Sequence, residues 1–139
     1  MIKRLSGKEI KEVIKARDKL SKIDYYKYYF DGSIENKPDE AYLIDNYYID
    51  FTLYDGLCFV GVIRLTGKKG NYIHEFINLL LNRLRKYKEI YMWCKLDNRI
   101  SLRFHKYLVK KYDAEQLIKA DLSIVKLEVE KVVKNRKIL

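Results

Sequence analysis

The sequence contains few of the residues from which linkers, metal sites and disulfide frameworks are built. Its 139 residues include one proline, six glycines, two cysteines and two histidines. So little proline and glycine excludes long flexible linkers, and two cysteines are too few for a disulfide-rich scaffold. With His74 and His105 as its histidines and no Cys-x-x-Cys pair, the chain has no recognisable metal-binding motif.

Long apolar segments are also missing. The longest apolar runs are about five residues, whereas a helix needs about 20 to cross a bilayer. Residues 1–5 lack the apolar stretch of a signal peptide, so we expect a cytoplasmic location. In that compartment Cys58 and Cys94, which fall in predicted strands, are expected to be reduced, buried thiols.

The charge is strongly unbalanced. Twenty-nine Lys and Arg residues against 19 Asp and Glu residues give a net charge of +10. This favours a polyanionic partner, such as an acidic protein surface, a nucleic acid or a phosphorylated cofactor. An A+T-rich coding bias is the alternative explanation, since Lys, Ile, Asn and Tyr are all abundant. The 48% hydrophobic and 35% charged content predicts a soluble globular domain over residues 1–139, with a basic tail from about residue 134.

The first half of the chain predicts a strand, a helix and a loop. A short strand covers residues 2–5. Ser6 followed by Glu9 is a capping box, and apolar residues at helical spacing then predict a helix from about residue 7 into the mid-twenties. The aromatic cluster at 25–30 continues that helix or forms a second short one, before a loop at 31–40.

The rest of the chain alternates between strand and helix patterns. Asp55-Gly56 is a strong hairpin signal between two strands. Three strands are predicted at 41–45, 47–54 and 57–64, then a helix at 72–88, a strand at 89–94, a helix opening at Asp97-Asn98, and strands at 115–119 and 124–133. This order predicts an α+β domain with one mixed sheet and helices on both faces.

The element order resembles the GCN5-related N-acetyltransferase (GNAT) superfamily. The sequence Arg64-x-x-Gly67-x-Lys69, with Gly70 next, stands where the family binds coenzyme A pyrophosphate after a strand. Asn98-x-x-Ser101 and Phe104-His105 resemble its second motif. The resemblance implies a three-layer α/β/α sandwich with a central mixed, mostly antiparallel sheet, and acetyl-CoA as cofactor. These elements are also similar to a bacteriophage-encoded branch, which implies the host cell cytoplasm or the virion as location.

The loop after residue 64 is the candidate cofactor site. Backbone amides at a helix start, aided by basic side chains, bind phosphate groups. The candidate cofactor-binding residues are Arg64, Gly67, Lys68, Lys69, Gly70, Asn71 and Asn98. An ordinary polar turn with surface lysines is the alternative for the loop, and capping of the following helix is the alternative for Asn98.

His105 is the candidate catalytic residue. It occupies the position of the family's tyrosine, which protonates the departing thiolate, and an imidazole can donate a proton near neutral pH. The alternative is a histidine packed beside the sheet. Strand 57–63 has no carboxylate to act as general base, which leaves Asp50 and Asp55 on neighbouring segments as substitutes.

Two functions follow from these observations. The first is an acyl-CoA-dependent N-acetyltransferase that transfers an acetyl group to an amine-bearing substrate. The second is a catalytically inactive GNAT-fold protein, either a virion component or a host-directed binding protein with an acidic partner. A sequence-specific nucleic-acid binder has less support, because no helix-turn-helix, zinc-finger or RNP-type motif is present.

Overall fold

The computed structural model describes residues 2–20, 38–65 and 72–138. Within them the chain forms seven strands and four helices. In chain order these are β1 (Ile2–Arg4), α1 (Gly7–Leu20), β2 (Glu40–Ile44), β3 (Tyr47–Tyr54), β4 (Leu57–Arg64), α2 (Ile73–Tyr87), β5 (Glu89–Lys95), α3 (Arg99–Tyr112), β6 (Glu115–Lys119), β7 (Leu122–Glu128) and α4 (Val129–Ile138).

The seven strands form one sheet in the order β1-β2-β3-β4-β5-β7-β6. Only the β4–β5 pair is parallel, and the five other neighbouring pairs are antiparallel. The sheet is therefore mixed and mostly antiparallel, as predicted. The parallel pair requires a crossover, which is supplied by α2.

Local sequence signals account for two of the boundaries. Asp55 and Gly56 both have positive φ, 53° and 80°, which is the conformation that a two-residue hairpin turn requires. At the start of α1, the Ser6 amide donates to Glu9 Oε1 at 3.1 Å and the Glu9 amide donates to Ser6 Oγ at 3.3 Å. The predicted hairpin and capping box are both confirmed.

Helices cover both faces of the sheet. On one face α2, α3 and α4 contribute Phe76, Leu108 and Val132 to a large buried cluster. On the other face α1 packs Ile10 and Val13 against a smaller cluster from the sheet. The predicted three-layer α/β/α sandwich is confirmed.

The prediction of a strand over residues 124–133 is wrong in its second half. Strand β7 ends at Glu128 and α4 begins at Val129, so the basic residues from 134 onward continue a helix. The alternation of Val125 and Leu127 extends by chance to Val129, but Val132 is buried at helical spacing. The predicted continuation of the first helix beyond residue 20, the segment at 25–30 and most of the loop at 31–40 lie outside the described residues. In the described part of the chain, no helix is long and apolar enough to cross a membrane.

A buried carboxylate ties α2 to the edge of the sheet. Glu40, at the start of β2, is 2% exposed. It accepts hydrogen bonds from Tyr42, Tyr87 and Arg83, and it pairs with Arg4 and Lys86. Burial raises the pKa of Glu40, but the hydrogen bonds from the two tyrosines and the Arg83 charge outweigh it and hold this pKa below its ordinary value.

We expect Glu40→Gln to lower the free energy of unfolding by about 2–3 kcal/mol, because it leaves buried donors facing a neutral amide. Chemical denaturation measures this loss. The matched control is Glu115→Gln, since Glu115 is an exposed carboxylate that also pairs with two lysines, and there we expect little change. Equal losses in the two variants would show that Glu40 does not clamp α2 to the sheet.

Candidate active site

The two parallel strands at the centre of the sheet diverge. Strands β4 and β5 pair in register at Phe59↔Tyr91, whereas β3 and β4 pair along eight positions. Beyond Phe59 a cleft of about 510 Å³ opens between the strands. Such a volume lies within the range of small-molecule sites.

The cleft passes between the strands and is not a groove on one face. Residues 60–64 of β4 and residues 92–94 of β5 all line it. Successive strand residues point to opposite faces of a sheet. Contributions from consecutive residues of both strands therefore require a gap in the sheet itself.

Two helices begin at the cleft. Tyr72 and Ile73 at the start of α2, and residues 97–101 at the start of α3, line it. The first amides of a helix have no partner within the helix and carry partial positive charge, which attracts anions. Asn98 Oδ1 accepts a hydrogen bond from the Ser101 amide at 3.3 Å, so Asn98 caps α3. Its contact with a cofactor stays a prediction.

A row of aromatic rings forms one wall of the cleft. Tyr47 stacks on Tyr72 with 3.7 Å between centroids, Tyr72 on Phe76 at 5.6 Å, and Phe76 on Phe104 at 5.4 Å. Burial and the neighbouring Tyr47 raise the pKa of Tyr72 to about 12, so its phenol stays neutral. Sequence reasoning missed this wall, because its rings come from β3, α2 and α3, and only the fold brings them together.

His105 lies in a polar cluster at the cleft. It lines the cleft and is 2% exposed. Its Nδ1 lies 2.8 Å from Ser123 Oγ and 3.8 Å from Cys94 Sγ. Burial lowers the pKa of His105 to about 4, so the ring is neutral at pH 7 and the imidazolium is scarce. The role of His105 as general acid stays a prediction.

Both cysteines are free and buried, as predicted. Burial raises the pKa of Cys94 to about 11. It also raises the pKa of Cys58 to about 12, with added repulsion from Glu40. Both groups are therefore thiols at neutral pH and poor nucleophiles. Among the described residues, no group of three or more His, Cys, Asp or Glu side chains could hold a metal ion.

Three predicted site residues meet in the cleft: Arg64, Asn98 and His105. The other five, Gly67, Lys68, Lys69, Gly70 and Asn71, lie outside the described residues. Of the substitute bases, Asp50 is buried and stands in register with Gly61, which lines the cleft. Asp55 instead lies in the β3–β4 turn, near the first residue of β4, whereas Arg64 is the last residue of β4.

The buried His105 predicts a specific dependence of stability on pH. Its pKa falls from 6.5 to about 4 on folding, so between these values the unfolded chain binds a proton that the folded chain does not. Stability is therefore full above about pH 6.5 and falls as the pH drops towards 4, by about 3 kcal/mol. Denaturant unfolding of the wild type across this range measures the slope.

The matched variants are His105→Gln and His74→Gln, since His74 is exposed. We expect the first to lose about 3 kcal/mol less than the wild type between pH 6.5 and 4, and the second to keep the wild-type slope. Carboxylates contribute to all three curves and cancel in the comparison. Identical slopes for the wild type and His105→Gln would mean that the ring accepts a proton in the folded state.

The fold has a counterpart among solved structures. The crystal structure of the N-acetyltransferase PseH from Campylobacter jejuni is similar to this chain with a TM-score of 0.55, over 91% of this chain and 97% of PseH, at 15% identity. No protein-family model and no curated protein matches the sequence. At this identity the likeness shows the fold alone. The chain therefore has the N-acetyltransferase fold that its element order predicts.

Proposed function

We propose that the protein is an acyl-CoA-dependent N-acetyltransferase that transfers an acetyl group to an amine. The observation that carries this proposal is the divergence of β4 and β5 into a cleft at which α2 and α3 both begin. That geometry supplies a gap for a thioester arm and helix starts for its phosphates. The N-acetyltransferase fold supports the same proposal.

The residues at the cleft suit the parts of acetyl-CoA. Residues 67–71, which precede α2 in the sequence, would hold the pyrophosphate together with Arg64. Ile73 and Ile100 are apolar, exposed and at the cleft, and they would contact the pantetheine arm. Bound acetyl-CoA supplies an activated acyl group for attack by an amine.

Asp50 is the candidate for accepting the proton of the substrate amine. Its backbone stands opposite Gly61, which lines the cleft. A carboxylate needs to reach the amine directly or through one water to serve as base. From the sequence we propose an amine-bearing substrate, an acidic or nucleic-acid partner, and a bacteriophage origin.

Binding of acetyl-CoA to the full chain tests the proposal. At a hundredfold excess over Kd, a ligand stabilises the folded state by about 2.7 kcal/mol, which we expect to raise Tm by about 10 °C. Ser101→Phe would place a ring in the cleft that Ser101 lines, and we expect it to abolish the shift. The control is Lys106→Phe, the same ring at an exposed position of α3, which should behave as the wild type.

Release of free thiol from acetyl-CoA in the presence of a panel of amines then measures transfer. We expect thiol release by the wild type and Lys106→Phe, and none by Ser101→Phe. Absence of both binding and turnover at millimolar acetyl-CoA would overturn the proposal. The chain would then be an N-acetyltransferase fold that serves as a binding protein.

The proposed pyrophosphate contact makes a separate prediction. We expect Lys68→Ala with Lys69→Ala to raise the Kd for acetyl-CoA by about tenfold or more, because charge-assisted hydrogen bonds contribute about 1.5–3 kcal/mol. Calorimetry measures the constant. The control pair is Lys110→Ala with Lys111→Ala, at the exposed carboxyl end of α3, where two charges are removed far from the cleft. Equal changes in Kd for the two pairs would show that Lys68 and Lys69 contribute only net charge and do not contact the pyrophosphate.

A further inference from the structure

A chain of hydrogen bonds leads from β6 to the candidate catalytic ring. Gln116 Nε2 donates to Ser123 Oγ at 3.0 Å, and Ser123 Oγ lies 2.8 Å from His105 Nδ1. Ser123 is fully buried on β7, and Gln116 is partly buried on β6. Strand β7 pairs with the cleft strand β5, and β6 pairs with β7. The sheet therefore fixes the geometry of these hydrogen bonds.

The direction of the Ser123 hydroxyl decides which nitrogen of His105 carries the proton. Ser123 Oγ accepts a hydrogen bond from Gln116 Nε2, which can only donate. The Ser123 proton therefore needs an acceptor, since a buried hydroxyl without one is costly. Of the two described partners of Ser123 Oγ, only His105 Nδ1 can accept.

The thiol of Cys94 supports the same assignment of the proton. Cys94 Sγ lies 3.8 Å from the same Nδ1. A thiol is a weak donor, and a thiol rather than a thiolate is present here because burial raises the Cys94 pKa. Both groups that face Nδ1 therefore offer protons to it. An unprotonated Nδ1 accepts from the Ser123 hydroxyl at 2.8 Å, with the thiol at 3.8 Å as a weaker second donor. An Nδ1–H would leave the Ser123 proton without an acceptor among the described partners of Ser123 Oγ.

We propose that Ser123 and Gln116 are positioning residues that hold His105 in the Nε2–H tautomer. The tautomer itself does not depend on the proposed function, but the catalytic use of the tautomer rests on it. His105 lines the cleft, and with Nδ1 engaged by Ser123, Nε2–H would be the edge that is left to face it. A neutral N–H there donates a hydrogen bond without giving up its proton. Its partner would be an acceptor atom that gains negative charge during acyl transfer, the thioester oxygen or sulfur.

The test is the nitrogen NMR spectrum of the full-length protein labelled with ¹⁵N-histidine, recorded at pH 7 without ligand. We expect the His105 Nε2 resonance at a protonated, pyrrole-type shift and Nδ1 at an unprotonated, pyridine-type shift. The exposed His74 is the internal reference, and His74→Gln assigns the two residues. A His105 ring with its proton on Nδ1 overturns the proposal outright.

Variants of the two positioning residues test how the tautomer is held. In Ser123→Ala and in Gln116→Ala we expect the ratio of the Nε2–H form to the Nδ1–H form to fall by about fivefold or more, since a hydrogen bond of ordinary strength is lost. Lys106→Ala, on the solvent side of α3, should leave the ratio unchanged. Unchanged spectra in both Ser123→Ala and Gln116→Ala would overturn the positioning roles.

The two proposals fail separately. If Ser123→Ala does not fold, the wild-type spectrum still tests the tautomer. Gln116→Ala, at a less buried position, then tests the positioning role. A protein that shows the Nε2–H tautomer but does not bind acetyl-CoA refutes the proposed function alone. In an active protein, we expect Gln116→Ala to lower kcat with little change in KM, because the variant leaves the residues that bind the ligand in place.

Discussion

The proposed acyl transfer depends on the parallel strands β4 and β5 separating after Phe59↔Tyr91. The gap cannot close easily, because each of its walls belongs to an extended antiparallel ladder. Strand β4 is paired with β3 along eight positions, and β5 is paired with β7 along seven. Strand twist then carries the two walls apart.

The walls of this gap divide into an apolar part and a polar part. The aromatic row from Tyr47 to Phe104 supplies apolar surface, and the helix starts and Arg64 supply hydrogen-bond donors. A low local dielectric strengthens every fixed dipole inside the cleft. Burial also keeps the imidazole of His105 and the thiol of Cys94 in their uncharged forms.

Local sequence signals predicted the parts of the fold that neighbouring residues determine. The bounds of β3 and β4 are the predicted ones, because Asp55-Gly56 fixes both the turn and the register of the hairpin that it closes. The capping box at Ser6 likewise needs residues three apart. The start of α4 was not predictable in this way, since the alternation at Val129 fits a strand until Val132 is buried against the other helices.

The candidate site was predicted only in part, for a related reason. Arg64, Asn98 and His105 could be chosen because they stand in motifs within one segment. The place of Asp50 opposite Gly61 follows from the hairpin register that Asp55-Gly56 fixes. The aromatic wall and the contact of Ser123 with His105 instead join distant segments. They follow from sheet order and register, which a single sequence does not determine. The 15% identity with a protein of the same fold makes the same point, since the fold persists while most side chains change.

Two buried polar groups in this domain differ in what they stabilise. Glu40 is surrounded by cations and tyrosines from three elements, so its burial is offset by the attachment of α2 and β1 to the sheet. The hydrogen bonds among His105, Ser123 and Gln116 connect α3, β7 and β6, which already pack against one another. Apolar side chains of similar volume would pack there at least as well, because a buried polar group contributes little net stability even when it is satisfied. This polar chain ends on a ring at the cleft, and its low value for stability supports the proposal that the His105 ring takes part in chemistry there.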